Sequence, residues 1–203
     1  MDNQVSHLSV SSSPHIRSGA TTTKIMGTVI IALMPALVAS VIIFGPRALL
    51  VTAVTVAAAV LFEFAWCHLR HQPDSIQDLS AVVTGLLLAF NVPSTIPLWM
   101  PVVGAFVSIV IVKELFGGIG RNFANPAIVG RMVLAVSFTS RMTAFPFPNT
   151  LSGVDALTSA TPLAAAGNGA QLPYLDLLLG THGGVLGETC AIALILSLIH
   201  ISE

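Results

Sequence analysis

The sequence predicts an all-α fold: a polytopic transmembrane helix bundle with a short broken helix and a long extracytoplasmic loop. Three observations predict it. Charged residues make up only 8% of the 203-residue chain and apolar residues 54%, whereas a soluble domain carries about 25% charged residues on its wetted surface. The apolar residues gather into runs, the longest matching the roughly 20 residues needed to cross about 30 Å of hydrocarbon. Polar, Gly- and Pro-containing clusters separate those runs.

The elements follow in order. Residues 1–24 form a Ser/Thr-rich polar segment, assigned to the cytoplasm. Ile25 to Phe44 carries no charge and is the first span; it is longer than a signal-peptide core and more such runs follow it. Gly45-Pro46-Arg47 reads as a tight turn. Ala48 to Trp66 is the second span, with Glu63 near its far end. Cys67 to Asp78 reads as a polar loop, and Asp78 as the N-cap of the next helix. Leu79 to Phe90 is apolar but short, and it runs into Asn91-Val92-Pro93-Ser94 and then Pro97. Such a segment reads as a broken helix with its backbone turned toward a cavity or covered by protein.

Leu98 to Val112 is the next crossing. The Gly-rich stretch Lys113 to Asn125, KELFGGIGRNFAN, follows it. It has neither the third Gly of a dinucleotide loop, since Phe123 stands there, nor a G-K-S/T, so it reads as a tight turn at the membrane edge. Asn125 is the expected cap and Pro126 the first residue of a helix running to Phe138. Residues 141–184 form a long loop without a spanning run. Val185 to Ile199 opens a last apolar helix, followed at once by Ser202 and Glu203. With about six apolar segments in residues 25–203, the sequence reads as the N-terminal part of a longer membrane domain.

Lys and Arg placement orients the chain. Arg17, Lys24, Arg70, Lys113 and Arg121 fall on one side, read as cytoplasmic. Arg47, Arg141 and the loop 141–184 then fall outside.

Composition also excludes classes. Eight Lys and Arg against nine Asp and Glu give no basic face, and no nucleic-acid partner is expected. Cys67 and Cys190 are far apart and show no metal or redox spacing, and the six histidines show no zinc spacing. No metal site is expected. Cys67 and Cys190, each near the end of an apolar segment, read as small buried thiols. Glu63, Glu114 and Glu188 lie near segment ends, where headgroups would solvate them; deeper in hydrocarbon they become functional candidates. Arg131, inside its helix, either snorkels to the inner face or holds a cofactor or carboxylate.

The outer loop carries the chemistry. Thr161 reads as a helix N-cap and Pro162 as the first helical residue. A helix N-terminus offers unpaired N–H groups and a positive dipole end. A phosphate ester on the Thr161 hydroxyl is therefore physically compatible with the site.

The segment D-A-L-T-S-A-T-P-L-A, Asp155 to Ala164, resembles the covalent flavinylation motif of the RnfD/NqrB family, membrane subunits of ion-pumping redox complexes. In that family the last Thr carries FMN through a phosphoester. The resemblance assigns that role to Thr161, with Asp155, Thr158, Ser159 and Ala160 completing the motif; Ser159 stands where the family usually has Gly. It extends along the chain through SPHIRS and TTTKIM (Ser13 to Met26), DLSAVVTGLLLAF (Asp78 to Phe90), KELFGGIGRNFANPA (Lys113 to Ala127) and LLLGTHGGVLGETC (Leu177 to Cys190). The N-terminal motif and short leader are closer to the RnfD branch. Ser18-Gly19-Ala20-Thr21 also matches the S-G-A-T core, but His15 replaces the upstream Asp and no Pro-Leu follows. It also lies on the cytoplasmic side, so Thr161 is preferred over Thr21.

The resemblance implies a multi-pass protein of the bacterial inner membrane, with covalent FMN and electron transfer coupled to Na⁺ or H⁺ movement. It implies Rnf subunits A, B, C, E and G and a flavin transferase as partners. His182, near the outer face, is a further residue that would approach the flavin. The rival reading is a small-solute transporter or channel, supported by the break at Asn91 to Pro97 and by the small-residue-rich spans. A third is a scaffold subunit with a vestigial flavin site.

Overall fold

The computed structural model describes residues 21–71, 76–145, 166–167, 174–180, 182–188 and 190–202. Among them there is no strand. In hydrocarbon a long uncharged run can satisfy its backbone polar groups within itself only as helix.

Helix α1 spans Thr22–Phe44 and α2 spans Pro46–Arg70. These two are long and apolar enough to cross a membrane. The turn between them is tighter than its sequence implies. Gly45 alone, at φ 78°, reverses the chain, and Pro46 already opens α2. A residue at that φ has a left-handed backbone that favours Gly. Helix α2 also runs past Trp66, so Cys67 to Arg70 are helical and not loop. Cys67 is buried.

A 3₁₀ turn, Ile76–Asp78, leads to α3, Ser80–Phe90. Asp78 does not cap α3, as the sequence implied. The cap position is Leu79, at φ 59°, and it makes no side-chain hydrogen bond to the helix. Asp78 is spent in the preceding 3₁₀ turn, which moves the helix start one residue on.

Helix α4 runs from Trp99 to Phe106 and continues without a break as a π-helix, Val107–Glu114. The wide winding persists in the i→i+5 bonds from Leu115 N–H to Val110 O and from Gly118 N–H to Lys113 O, each 3.0 Å. Helix α5, Pro126–Ser137, starts as its sequence predicts: Asn125 Oδ1 accepts the Ala127 N–H at 3.0 Å, and Pro126 takes the first turn. Short α6, Thr139–Met142, and α7, Tyr174–Leu179, precede the last helix, α8, Ala191–Ser202. Helix α8 begins six residues later than expected, because Val185 to Glu188 are used as a packed turn.

Close approach explains the small residues. A Cβ on Gly85 of α3 would sit 2.9 Å from Val56 Cα and 3.1 Å from Ala59 Cβ of α2. At the α4–α5 crossing, a Cβ on Gly130 would meet Ser108 Oγ and lie 2.9 Å from Gly104 O. Membrane helices associate through such backbone proximity, since lipid offers no hydrophobic drive between them. Helix α8 packs along α1, burying Ala193 and Ser197.

Contacts sort the bundle into two ends. At one, Thr23 Oγ1 donates to Gln77 O at 3.1 Å, near Lys24 and the end of α2. At the other lies a cluster of Phe44, Ala48, Val92, Ile96, Met100, Leu134, Met142 and Leu186.

Candidate functional site

The break after α3 is not open. Val92, Ser94 and Ile96 are buried. Arg47, at the start of α2, donates through Nε to Ser94 O at 3.0 Å and through Nη2 to Ile96 O at 3.4 Å. Leu186 N–H donates to Val92 O at 3.2 Å, and Gly187 N–H to Phe90 O at 2.9 Å. The freed carbonyls of the broken helix are thus covered by protein, one of the two arrangements that membrane depth permits. Of the two covers that the sequence allows, protein is the one seen at these carbonyls. A pocket of about 270 Å³ lies elsewhere, between α1 and α8, lined by Ile31, Ala32, Pro35, Leu196 and Ile199.

Gly187 fits the docking because a Cβ there would run into the Phe90 ring. Beside it, Arg131 Nη1 donates to Asn91 Oδ1 at 2.9 Å. Asn91 Nδ2 in turn donates to Leu87 O at 2.8 Å. Arg131 therefore ties α5 to the end of α3; its partner there is an amide oxygen, neither a carboxylate nor solvent.

At the opposite end, the side chains of Glu63, Lys113, Glu114 and Ser80 meet. Lys113 Nζ lies 2.8 Å from Glu63 Oε2, 3.5 Å from Glu114 Oε1, and donates to Ser80 Oγ at 2.7 Å. Relative exposure is 2% for Lys113, 0% for Glu63 and 8% for Glu114. Three elements build the group: α2 supplies Glu63, α3 begins at Ser80, and the π-helix ends in Lys113 and Glu114. A π-helix has more residues per turn than an α-helix. Consecutive side chains diverge less around its axis, and both ends of the Lys113–Glu114 pair turn inward.

Two sequence expectations are corrected here. Glu63 and Glu114 are not solvated by a headgroup zone; they are enclosed by the bundle. Lys113 is not a free surface charge marking one side of the membrane, because it is spent in this cluster. The sequence holds a weak signal for it, a Lys-Glu pair at the very end of an apolar run. Nothing in the spacing joins that pair to Glu63.

The remaining candidates are dispersed. Glu188 is exposed. His182 is half-buried, its Nδ1 3.3 Å from Gly183 O. Thr21 is the N-cap of α1, and its hydroxyl accepts the Lys24 N–H at 3.3 Å. Asp155, Thr158, Ser159, Ala160 and Thr161 lie outside the described residues; Ala166 and Gly167, just beyond, are helical and exposed. The three closely spaced left-handed glycines, Gly117, Gly118 and Gly120, with φ of 102°, 86° and 81°, make the Gly-rich stretch a turn.

The chain is 45% identical to the D subunit of the Na⁺-translocating ferredoxin:NAD⁺ oxidoreductase complex of Acetobacterium woodii, over 94% of this chain and 60% of that protein. It is 42% identical to the D subunit of the proton-translocating ferredoxin:NAD⁺ oxidoreductase complex of Clostridium ljungdahlii, over 92% of this chain and 60% of that one. Against the D subunit of the ion-translocating oxidoreductase complex of Actinobacillus succinogenes, identity is 36%, over 77% of this chain and 53% of that protein. The chain thus spans about 60% of the length of the first two relatives. Residues 9–202 match the NQR2, RnfD, RnfE family. On that match, and on a helical membrane bundle whose KELFGGIGRNFANPA stretch and closed helix break sit within the matched residues, the chain belongs to the NQR2, RnfD, RnfE family.

Proposed function

We propose that this chain is the flavin-bearing membrane subunit of an ion-translocating oxidoreductase complex, with FMN joined to Thr161 as a phosphoester. The observation that carries the reading is the motif Asp155 to Ala164, DALTSATPLA, in a chain whose relatives are named as D subunits of such complexes. Bound FMN would supply one- and two-electron chemistry. The chain's own part is to hold the phosphate and set the flavin's place at the membrane. A threonine before proline at a helix start supplies an ester oxygen beside free N–H groups and the positive dipole end.

Orientation belongs to the same proposal. The end carrying Lys24 and Arg70 faces the cytoplasm, and the end carrying Arg47 faces outward with the Thr161 loop. Rnf subunits A, B, C, E and G and a flavin transferase are the partners that this reading requires. The transporter alternative loses one of its two supports, since protein covers the helix break.

The test is chemical. The protein is co-produced with its flavin transferase, and the peptide spanning Asp155 to Tyr174 is analysed by mass spectrometry. The expected result is the added mass of an FMN phosphoester on Thr161, absent after Thr161→Ala. An unmodified Thr161 in a fluorescent protein, or a label on Thr21, refutes the assignment.

A further inference from the structure

The Glu63–Lys113–Glu114–Ser80 cluster has a geometry that an ordinary ion pair does not need. Three oxygens from three elements converge on one ammonium: Ser80 Oγ at 2.7 Å, Glu63 Oε2 at 2.8 Å and Glu114 Oε1 at 3.5 Å. Oxygen donors converging on a point are what a hard monovalent cation requires. Lys113 fills that point from within, as a tethered cation.

Charge does not close around it. At formal charges, two carboxylates face one ammonium. Glu114 is more than nine-tenths buried, and its Oε1 receives no hydrogen bond from any described residue. The charged and titratable groups on the surrounding elements lie elsewhere. Cys67 is buried one turn beyond Glu63 on α2, with exposed His68 and Arg70 after it. Asp78 lies half-buried in the 3₁₀ turn. Arg131 of α5 is engaged with Asn91. Arg121, beyond the π-helix, is exposed, as is Lys24 of α1. None of these forms an ion pair with Glu114.

We propose that Glu63, Glu114 and Ser80 form a monovalent-cation site in which the Lys113 ammonium is the built-in competitor, and that its exchangeable occupant is H⁺ or Na⁺. The inference rests on the reading of this chain as part of an ion-translocating complex, and deepens it by naming a place where the ion is held. A proton binds as an O–H bond on Glu114 Oε1, leaving Lys113 paired with Glu63. A sodium ion instead takes Glu114 Oε1 and the Ser80 hydroxyl, displacing the ammonium from those two oxygens while Lys113 stays paired with Glu63. Either occupant places a second positive charge beside the two carboxylates.

Infrared difference spectroscopy on the full-length protein in its purified complex tests this. Two exchanges are run: a pH step in choline chloride, and NaCl against choline chloride at fixed pH. A proton site gives a carboxylic C=O band in the first exchange. A sodium site gives a shifted carboxylate band in the second. In either case Glu114→Gln removes the band and Glu114→Asp moves it. Lys113→Met, which removes the competitor, lowers the half-saturating cation concentration by about tenfold or more, because a charge at this distance is worth at least one decade of affinity.

The site is overturned if neither exchange gives a band that responds to Glu114, or if Lys113→Met leaves the half-saturation unchanged. Should Glu114→Gln fail to assemble, the band position in Glu114→Asp decides alone. Ion movement driven by electron transfer is measured in parallel in proteoliposomes. Pumping with a silent Glu114 refutes the site and keeps the proposed function; a responsive Glu114 without pumping does the reverse.

Discussion

Lys113 and Glu63 stand 2.8 Å apart in the interior of the bundle, on different helices, with 2% and 0% of their surfaces exposed. Removing one member of such a pair leaves an uncompensated buried charge, at a cost of about 3–5 kcal/mol. Lys113→Met is the worst change here, because it strands two carboxylates. Glu63→Gln is milder, because Glu114 remains beside the ammonium. Thermal unfolding in detergent is expected to rank the stabilities as wild type, then Glu63→Gln, then Lys113→Met. Equal losses for the two variants would show that Glu114 does not share the charge.

Arg47 is expected to hold the helix break shut. Arg47→Ala leaves the buried carbonyls of Ser94 and Ile96 without their donor, a loss of about 1–3 kcal/mol for each carbonyl left unpaired. Lysine cannot reproduce the two-pronged contact, so Arg47→Lys recovers only part of the loss. Hydrogen exchange should rise first in the peptide containing Asn91 to Pro97. Unchanged protection there would show that Leu186 and Gly187 close the break by themselves.

The α4–α5 crossing has no room for a side chain at Gly130. Gly130→Val drives the new methyl groups into Ser108 Oγ and the Gly104 carbonyl. Overpacking of this kind costs about 1–3 kcal/mol. The midpoint of thermal unfolding should fall, and Ser108→Gly in the same protein should restore part of it. Absence of any rescue would place the clash on the Gly104 backbone instead.

Thr21 and Thr161 separate cleanly by experiment. Thr21→Ala removes the hydroxyl that caps α1, at about 1 kcal/mol of helix stability. It should leave flavin fluorescence of the denatured band intact. Thr161→Ala is expected to extinguish that fluorescence with no matching loss of α1 protection. The reverse pattern would move the attachment to the N-terminal motif.

Much of the fold was legible because hydrocarbon imposes a local rule. An uncharged run of sufficient length becomes helix wherever it lies, so α1 and α2 came directly from composition. Asn125 and Pro126 were legible for a similar reason, since cap chemistry acts within one turn. Two of the failures are long-range, and two are local choices between competing turns and windings. Asp78 looked like a cap, but its turn consumed it before α3 began. Val185 to Glu188 looked helical, but the N–H groups of Leu186 and Gly187 were claimed by the distant carbonyls of Val92 and Phe90. The stretch VSIVIVKE carries no mark of π winding that a 3.6-residue period would reveal. Glu63 could not be matched to Lys113, because their meeting depends on how three helices cross. The proposed flavin motif was readable in its residues alone, and it falls outside those the structure describes.

Met142 and Leu186 belong to one apolar cluster with Phe44, Ala48 and Leu134. Residues far apart in the chain thus share one packed volume. A cavity cut at either residue, at a cost of about 2–5 kcal/mol, is felt by every helix that enters the cluster. Shape at this end of the bundle is therefore a collective property of the helices, and a change in one of them is answered by its neighbours in space before its neighbours in sequence.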